Sequence, residues 1–185
     1  MRTLPRLLVP AALAAFALVA ARLAPGDDGK GGTPPPMPQP QKAIHQPFLD
    51  ALAGSWTTSS TSTYQGKKHS ATGKATFSLG VGGTALLEDY ESTGDGPDGK
   101  PMTFSGHGIY KLADDGKAVT AWWLDSYSAE PMKLSGTASD AGLELAGENP
   151  MHGKMTLSLA KTADGLSFKI TFQGGEMNES YKRAP

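Results

Sequence analysis

The chain contains no cysteine. That removes a disulfide framework, a thiolate nucleophile, cysteine-ligated zinc or iron–sulfur sites and a lipidated cysteine, so the fold must rest on packing. Aromatic residues are only 8% of the 185 positions, and the charges nearly cancel at 17 basic against 18 acidic. Neither a nucleic acid nor an anionic membrane surface is an expected partner for that balance. Also missing are Gly-x-Ser-x-Gly, His-Glu-x-x-His and Gly-x4-Gly-Lys-Ser/Thr, the local signatures of serine hydrolases, zincins and P-loop proteins. No catalytic residue, metal or cofactor is therefore expected, and the reading leans away from an enzyme.

What is present divides the chain into three parts. Arg2 and Arg6 precede an uncharged, mostly apolar run from Leu7 to Ala21. This is the n-region, h-region and small-residue pattern of a secretory signal peptide over residues 1–21. The run is too short for a comfortable membrane span and is interrupted by Pro10, so no stable span is expected after cleavage. Residues 22–42 are rich in proline and glycine, with Pro34, Pro35 and Pro36 in succession. Such a composition buries nothing and reads as a disordered linker. The folded domain is expected over residues 43–185, in an exported protein of the periplasm or the extracellular space.

Within the domain, Pro47 suits the first turn of a short helix in which Phe48, Leu49 and Leu52 share a face before Gly54. After it the hydrophobic period changes to two. Leu166, Phe168, Ile170 and Phe172 alternate with Ser167, Lys169 and Thr171, and Met155, Leu157 and Leu159 with Thr156 and Ser158. Turn residues recur at Asp114-Asp115-Gly116, Asp140-Ala141-Gly142 and Ala163-Asp164-Gly165. The pattern predicts ten short strands, near 54–64, 72–79, 84–93, 102–112, 117–127, 132–138, 142–148, 153–161, 165–173 and 176–182. So many locally connected strands favour an all-β, single antiparallel up-and-down barrel, in which closure removes the exposed edges. A two-sheet sandwich is the alternative.

Leu52-Ala53-Gly54-Ser55-Trp56 after a short helix resembles the opening of calycin, or lipocalin-like, barrels, where the Trp closes one end. With Gly82-Gly83-Thr84-x-Leu86, Phe104-x-Gly106-x-Gly108-x-Tyr110, Trp123-Leu124-Asp125-Ser126 and Gly136-Thr137, it resembles the bacterial domain of unknown function 1579 family. The resemblance implies a calycin-like barrel and no activity. Lys111 stands where many members of that family have Asp, and Asp114-Asp115-Gly116 is expected to make the turn instead.

Ionisable residues inside strands are the candidates for chemistry: Glu88, Asp89, Glu91, His107, Asp125, Glu144 and Glu148. Parity separates the two faces of a strand. Asp125 is in phase with Val119, Ala121 and Trp123, whereas His107 opposes the face of Phe104 and Tyr110. Asp125 then has two readings, a polar anchor for a ligand or a strand-end carboxylate bonding its own turn. Adjacent Trp122 and Trp123 must point to opposite faces. Of the four histidines, His107 and His152 are conceivable haem ligands, and His107, Glu88 and Asp125 a conceivable metal set, but no spacing supports either. Asp95-Gly96-Pro97-Asp98-Gly99 reads as a hairpin loop rather than a calcium loop. The expectation is a barrel that encloses a small hydrophobic molecule, its cavity lined by Tyr90, Tyr110, Trp123 and Asp125. The alternative is a structural or interaction protein of the cell envelope with a side-chain-filled barrel, ahead of a haem-binding or enzymatic one.

Overall fold

Gln46 opens the only α-helix among the described residues, α1 (Pro47–Leu52), by accepting the Leu49 N–H on its side-chain oxygen at 2.9 Å. Pro47, with no N–H to satisfy, takes the first turn. Phe48, Leu49 and Leu52 are completely buried, so the apolar face predicted from their spacing is the face that packs. The structure, a computed structural model, describes residues 39, 42, 43, 45–96, 100–149 and 152–185. The leader and nearly all of the linker lie outside the described residues.

Ten strands follow: β1 (Gly54–Tyr64), β2 (Lys67–Gly80), β3 (Ala85–Asp95), β4 (Pro101–Leu112), β5 (Ala118–Asp125), β6 (Met132–Ala138), β7 (Gly142–Asn149), β8 (Gly153–Thr162), β9 (Gly165–Phe172) and β10 (Gly175–Arg183). Each is antiparallel to its neighbour in the chain, and β10 pairs back onto β1 to close the barrel. Closure excludes the sandwich. It also means that no backbone edge is left for another strand to join. β2 begins five residues earlier than its alternation suggests, because Lys67, Lys68, His69 and Ser70 are polar on both faces. They extend the strand by pairing with Tyr64, Thr63, Ser62 and Thr61 beyond a tight turn at Gln65-Gly66, where both residues have positive φ. β5 ends at Asp125 rather than at residue 127, for a reason that belongs to the site below. Asp115 makes the preceding turn as expected, accepting the N–H groups of Lys117 and Ala118 at 2.8 Å each.

Alternation sorts the side chains into an inner and an outer set. At the end of the barrel next to α1 the inner set closes into a layer of Trp56, Phe77, Leu86, Val119, Leu143, Leu159 and Leu166, on which the helix rests. The C-terminal carbonyls of so short a helix need donors from elsewhere. Trp56 supplies one, its indole N–H donating to the Leu52 carbonyl at 2.8 Å. Arg183, at the end of β10, supplies two more by forking onto the Ala51 and Ala53 carbonyls at 2.6 Å each. Its guanidinium carbon also lies 4.1 Å from the Trp56 ring centroid. Three successive carbonyls are satisfied, and helix, first strand and last strand become one seal.

Replacing Arg183 with Ala should lower stability by about 1–3 kcal/mol, the range for charged hydrogen bonds plus a cation–π contact. Lys should restore only part of it, since it cannot fork. Thermal melts of the three proteins check this, and a Lys variant as stable as the parent would show that the fork is not needed.

Candidate functional site

At the opposite end the inner set does not fill the barrel. A cavity of about 450 Å³ remains, walled mostly by apolar and aromatic side chains. β4 makes much of the room, because its inner face carries Gly106 and Gly108 between Phe104 and Tyr110. A methyl group at Gly106 would collide with the Trp123 ring, and one at Gly108 would crowd Glu88 and Tyr110. The glycines let the Trp123 ring lie flat against the wall. There the rings of Trp123, Phe104 and Tyr127 run nearly parallel, with centroids 6.4 and 5.8 Å apart, and Tyr90 meets Phe104 edge-on at 5.9 Å. A second, smaller recess of about 320 Å³ adjoins it, shares Ser62, Tyr90, Phe104 and Met177 with it, and adds Ser60, Ser70 and Ser92.

Two glutamates lie on the inner surface. Glu88 is only 4% exposed and accepts the Tyr110 hydroxyl on Oε2 at 2.5 Å. Glu179, 5% exposed, accepts the Tyr90 hydroxyl on Oε1 at 2.7 Å. Burial raises the Glu88 pKa from 4.5 to about 7, with Glu179 and Asp89 adding to the rise and the Tyr110 hydrogen bond opposing it. Glu179 is raised too, by burial, against the hydrogen bond from Tyr90. Burial and the neighbouring carboxylates push Tyr90, Tyr110 and Tyr181 well above the ordinary phenol range. These hydroxyls therefore stay protonated and act as donors. Among the described residues neither a lysine nor an arginine lines the cavity.

All four sequence-predicted residues, Tyr90, Tyr110, Trp123 and Asp125, lie on the wall of this one cavity. Asp125 stands where β5 stops, and its Oδ1 accepts the N–H groups of Tyr127 and Ser128 at 2.8 Å each. That turn ends the strand two residues early and places Tyr127, whose hydroxyl donates to the Thr103 carbonyl at 3.0 Å, over the opening. The local reading of Asp125 thus holds in the geometry, on a residue that also faces the cavity. Trp122 points outward, opposite Ile109 and Lys133 in the neighbouring strands. His107 also points outward, paired with Asp89 at 2.6 Å on the solvent face. The wall of the barrel separates it from Glu88 and Asp125, which undoes the conceivable metal set and a haem ligated by His107. His152 does line the cavity, with Tyr64 and Phe172 against its ring. Pro97, Asp98, Gly99, Pro150 and Met151 lie outside the described residues.

Sequence reasoning missed the acidic pair. Glu88 stands among the strand carboxylates without a face, and Glu179 lies in a strand whose other residues are mostly polar. The signal was parity: Glu88 is in phase with Leu86 and Tyr90, and Glu179 with Met177 and Tyr181.

No protein-family model matches the chain, and no curated protein matches it. Among solved structures it is similar to the S-type phycobiliprotein lyase CPES from Guillardia theta, with a TM-score of 0.52 and 11% identity over 75% of this chain and 91% of that one. At that identity the likeness shows the fold alone, a lipocalin-like barrel.

Because the native pKa of Glu88 exceeds its ordinary value, the folded state holds a proton that the unfolded chain releases between pH 4.5 and about 7. The stability linked to that proton is fully present below the lower value and is lost as pH rises through the upper one, on the order of 3 kcal/mol. Glu88→Gln keeps the acceptor for Tyr110 and removes the titration. Its melting temperature relative to the parent should therefore climb between about pH 5 and about pH 8. A constant offset across that range would show that Glu88 does not titrate there.

Proposed function

We propose that this is an exported binding protein whose barrel takes up a small, largely apolar molecule. The observation that carries the reading is the cavity. Its volume of about 450 Å³ lies within the roughly 300–1,000 Å³ of small-molecule sites, and a side-chain-filled barrel would leave no such space. The arrangement supports it in three ways. The wall is dominated by rings and by flexible thioethers, Met132, Met155 and Met177, which adapt to an apolar guest. Its acidic and phenolic groups converge from β3, β4, β5 and β10. The open end, where β1 stops and β4 starts, presents Tyr64, Met102 and Tyr127, all more than a third exposed, as an apolar rim around the opening.

The cell-envelope setting rests on residues 1–21, and membership of the domain of unknown function 1579 family on the ordered motifs from Gly54-Ser55-Trp56 to Gly136-Thr137. The Guillardia theta neighbour is named for a reaction on phycobiliproteins. A wide pocket in the same fold agrees with small-molecule binding without extending that reaction to this chain.

The test is the full chain expressed with its leader, purified from the compartment it reaches, and weighed as a native ion beside its absorption spectrum. A stoichiometric small-molecule adduct is expected. Trp123→Ala and Phe104→Ala, which remove stacking surface, should each lose most of it while leaving the fold intact by circular dichroism. A bare mass, together with no thermal shift across a panel of lipids and aromatic metabolites, overturns the reading.

A further inference from the structure

The choice of guest can be narrowed, on the premise that the cavity binds one. Its wall brings three carboxyl groups inward, those of Glu88, Asp125 and Glu179, and among the described residues no lysine or arginine to face them. Two of the three are almost wholly buried, each held by a tyrosine hydroxyl that donates to it. Alone, these would be two satisfied polar groups in a core. They line an apolar chamber with stacked rings on its wall, however, and a further polar atom on that wall is unmet. Nδ1 of His152 is buried and has no hydrogen-bond partner among the described residues. A polar group carried by a guest would supply the missing partner.

An anionic guest would add charge where burial already disfavours the charged form of Glu88 and Glu179, whereas a cation beside them favours it. A purely hydrocarbon guest would leave the acceptor capacity of the acids and the buried nitrogen unused. A nitrogen base suits every part. Its ring rests against the Phe104–Trp123 stack, where a cationic or electron-poor ring is drawn to aromatic faces. Its N–H groups give the glutamates charged donors, where the protein's own side chains offer only neutral hydroxyls.

We propose that the cavity is selective for an aromatic or otherwise apolar nitrogen base, whose protonated nitrogen pairs with the Glu88 and Glu179 carboxylates. The tyrosines keep those carboxylates fixed before the guest arrives. Selectivity then comes from charge at the depth of the site and from ring stacking nearer its opening.

Three probes of one shape test this: naphthylmethylammonium, naphthylmethanol and naphthoate, titrated calorimetrically into the full chain at neutral pH. The ammonium should bind at least about tenfold more tightly than the alcohol, as expected for one charged hydrogen bond, and the carboxylate should bind weakest. Glu88→Gln and Glu179→Gln, made singly and together and checked for folding by circular dichroism, should reduce the ammonium's advantage over the alcohol. Equal binding of all three probes, or preference for the carboxylate, overturns the selectivity and leaves apolar binding standing. An ammonium advantage unchanged in whichever glutamine variants fold also overturns it, since the charge is then recognised elsewhere. Binding of none of the three overturns the proposed function together with the selectivity.

Discussion

The fork of Arg183 onto the carbonyls of α1 is the interaction on which the rest of the interior depends. A ten-stranded barrel is open at both ends unless something blocks one, and a helix of six residues is too short to hold itself in place. Phe48, Leu49 and Leu52 supply the apolar plug, but its position comes from directed bonds. Trp56 reaches down from β1 and Arg183 across from β10, so the two strands whose pairing closes the barrel also hold its floor. With that end sealed, the unfilled volume collects at the other end.

The inner surface is graded accordingly. Leucine, valine and phenylalanine fill the layer on the helix. Next come tyrosines and glutamates in matched pairs, and then a band of stacked rings, methionines and serines around the opening. The order has an energetic logic. A buried carboxylate is costly unless it is hydrogen-bonded, and phenol hydroxyls on neighbouring strands meet that need without introducing a cation that would cancel the charge. The interior remains acidic, and because Glu88 and Glu179 sit within paired strands the backbone gives the acids little freedom to move.

Much of this was legible in the residues themselves. Period-two alternation in β8 and β9, the turn triplets and the Pro47 start of the helix follow from local chemistry, and that is why the strand count and the up-and-down order could be read directly. Parity also placed Trp123 and Asp125 on one face. What escaped was of two kinds. β2 is longer than its pattern because Lys67 to Ser70 are polar on both faces, and only pairing with β1 makes them a strand. Glu88 and Glu179 escaped because a charged residue in a strand is ordinarily on the wet face, and their burial depends on partners about twenty and ninety positions away, Tyr110 and Tyr90. The void itself has no local signature. It arises from the sum of side chains around a ring, with Gly106 and Gly108 as the one part written into a single strand.

The closure of β10 on β1 also governs when the molecule can exist at all. Arg183 meets Ala51 across 132 positions of chain, so both the last seam and the floor wait for the final strand. Hairpins from β1 to β9 can form as they emerge, but until β10 docks they make a curled sheet with two free edges and an uncovered apolar face. Such distant pairing is slow, and the waiting species is prone to aggregate. A chain lacking β10 would therefore keep two free edges rather than be a slightly smaller barrel.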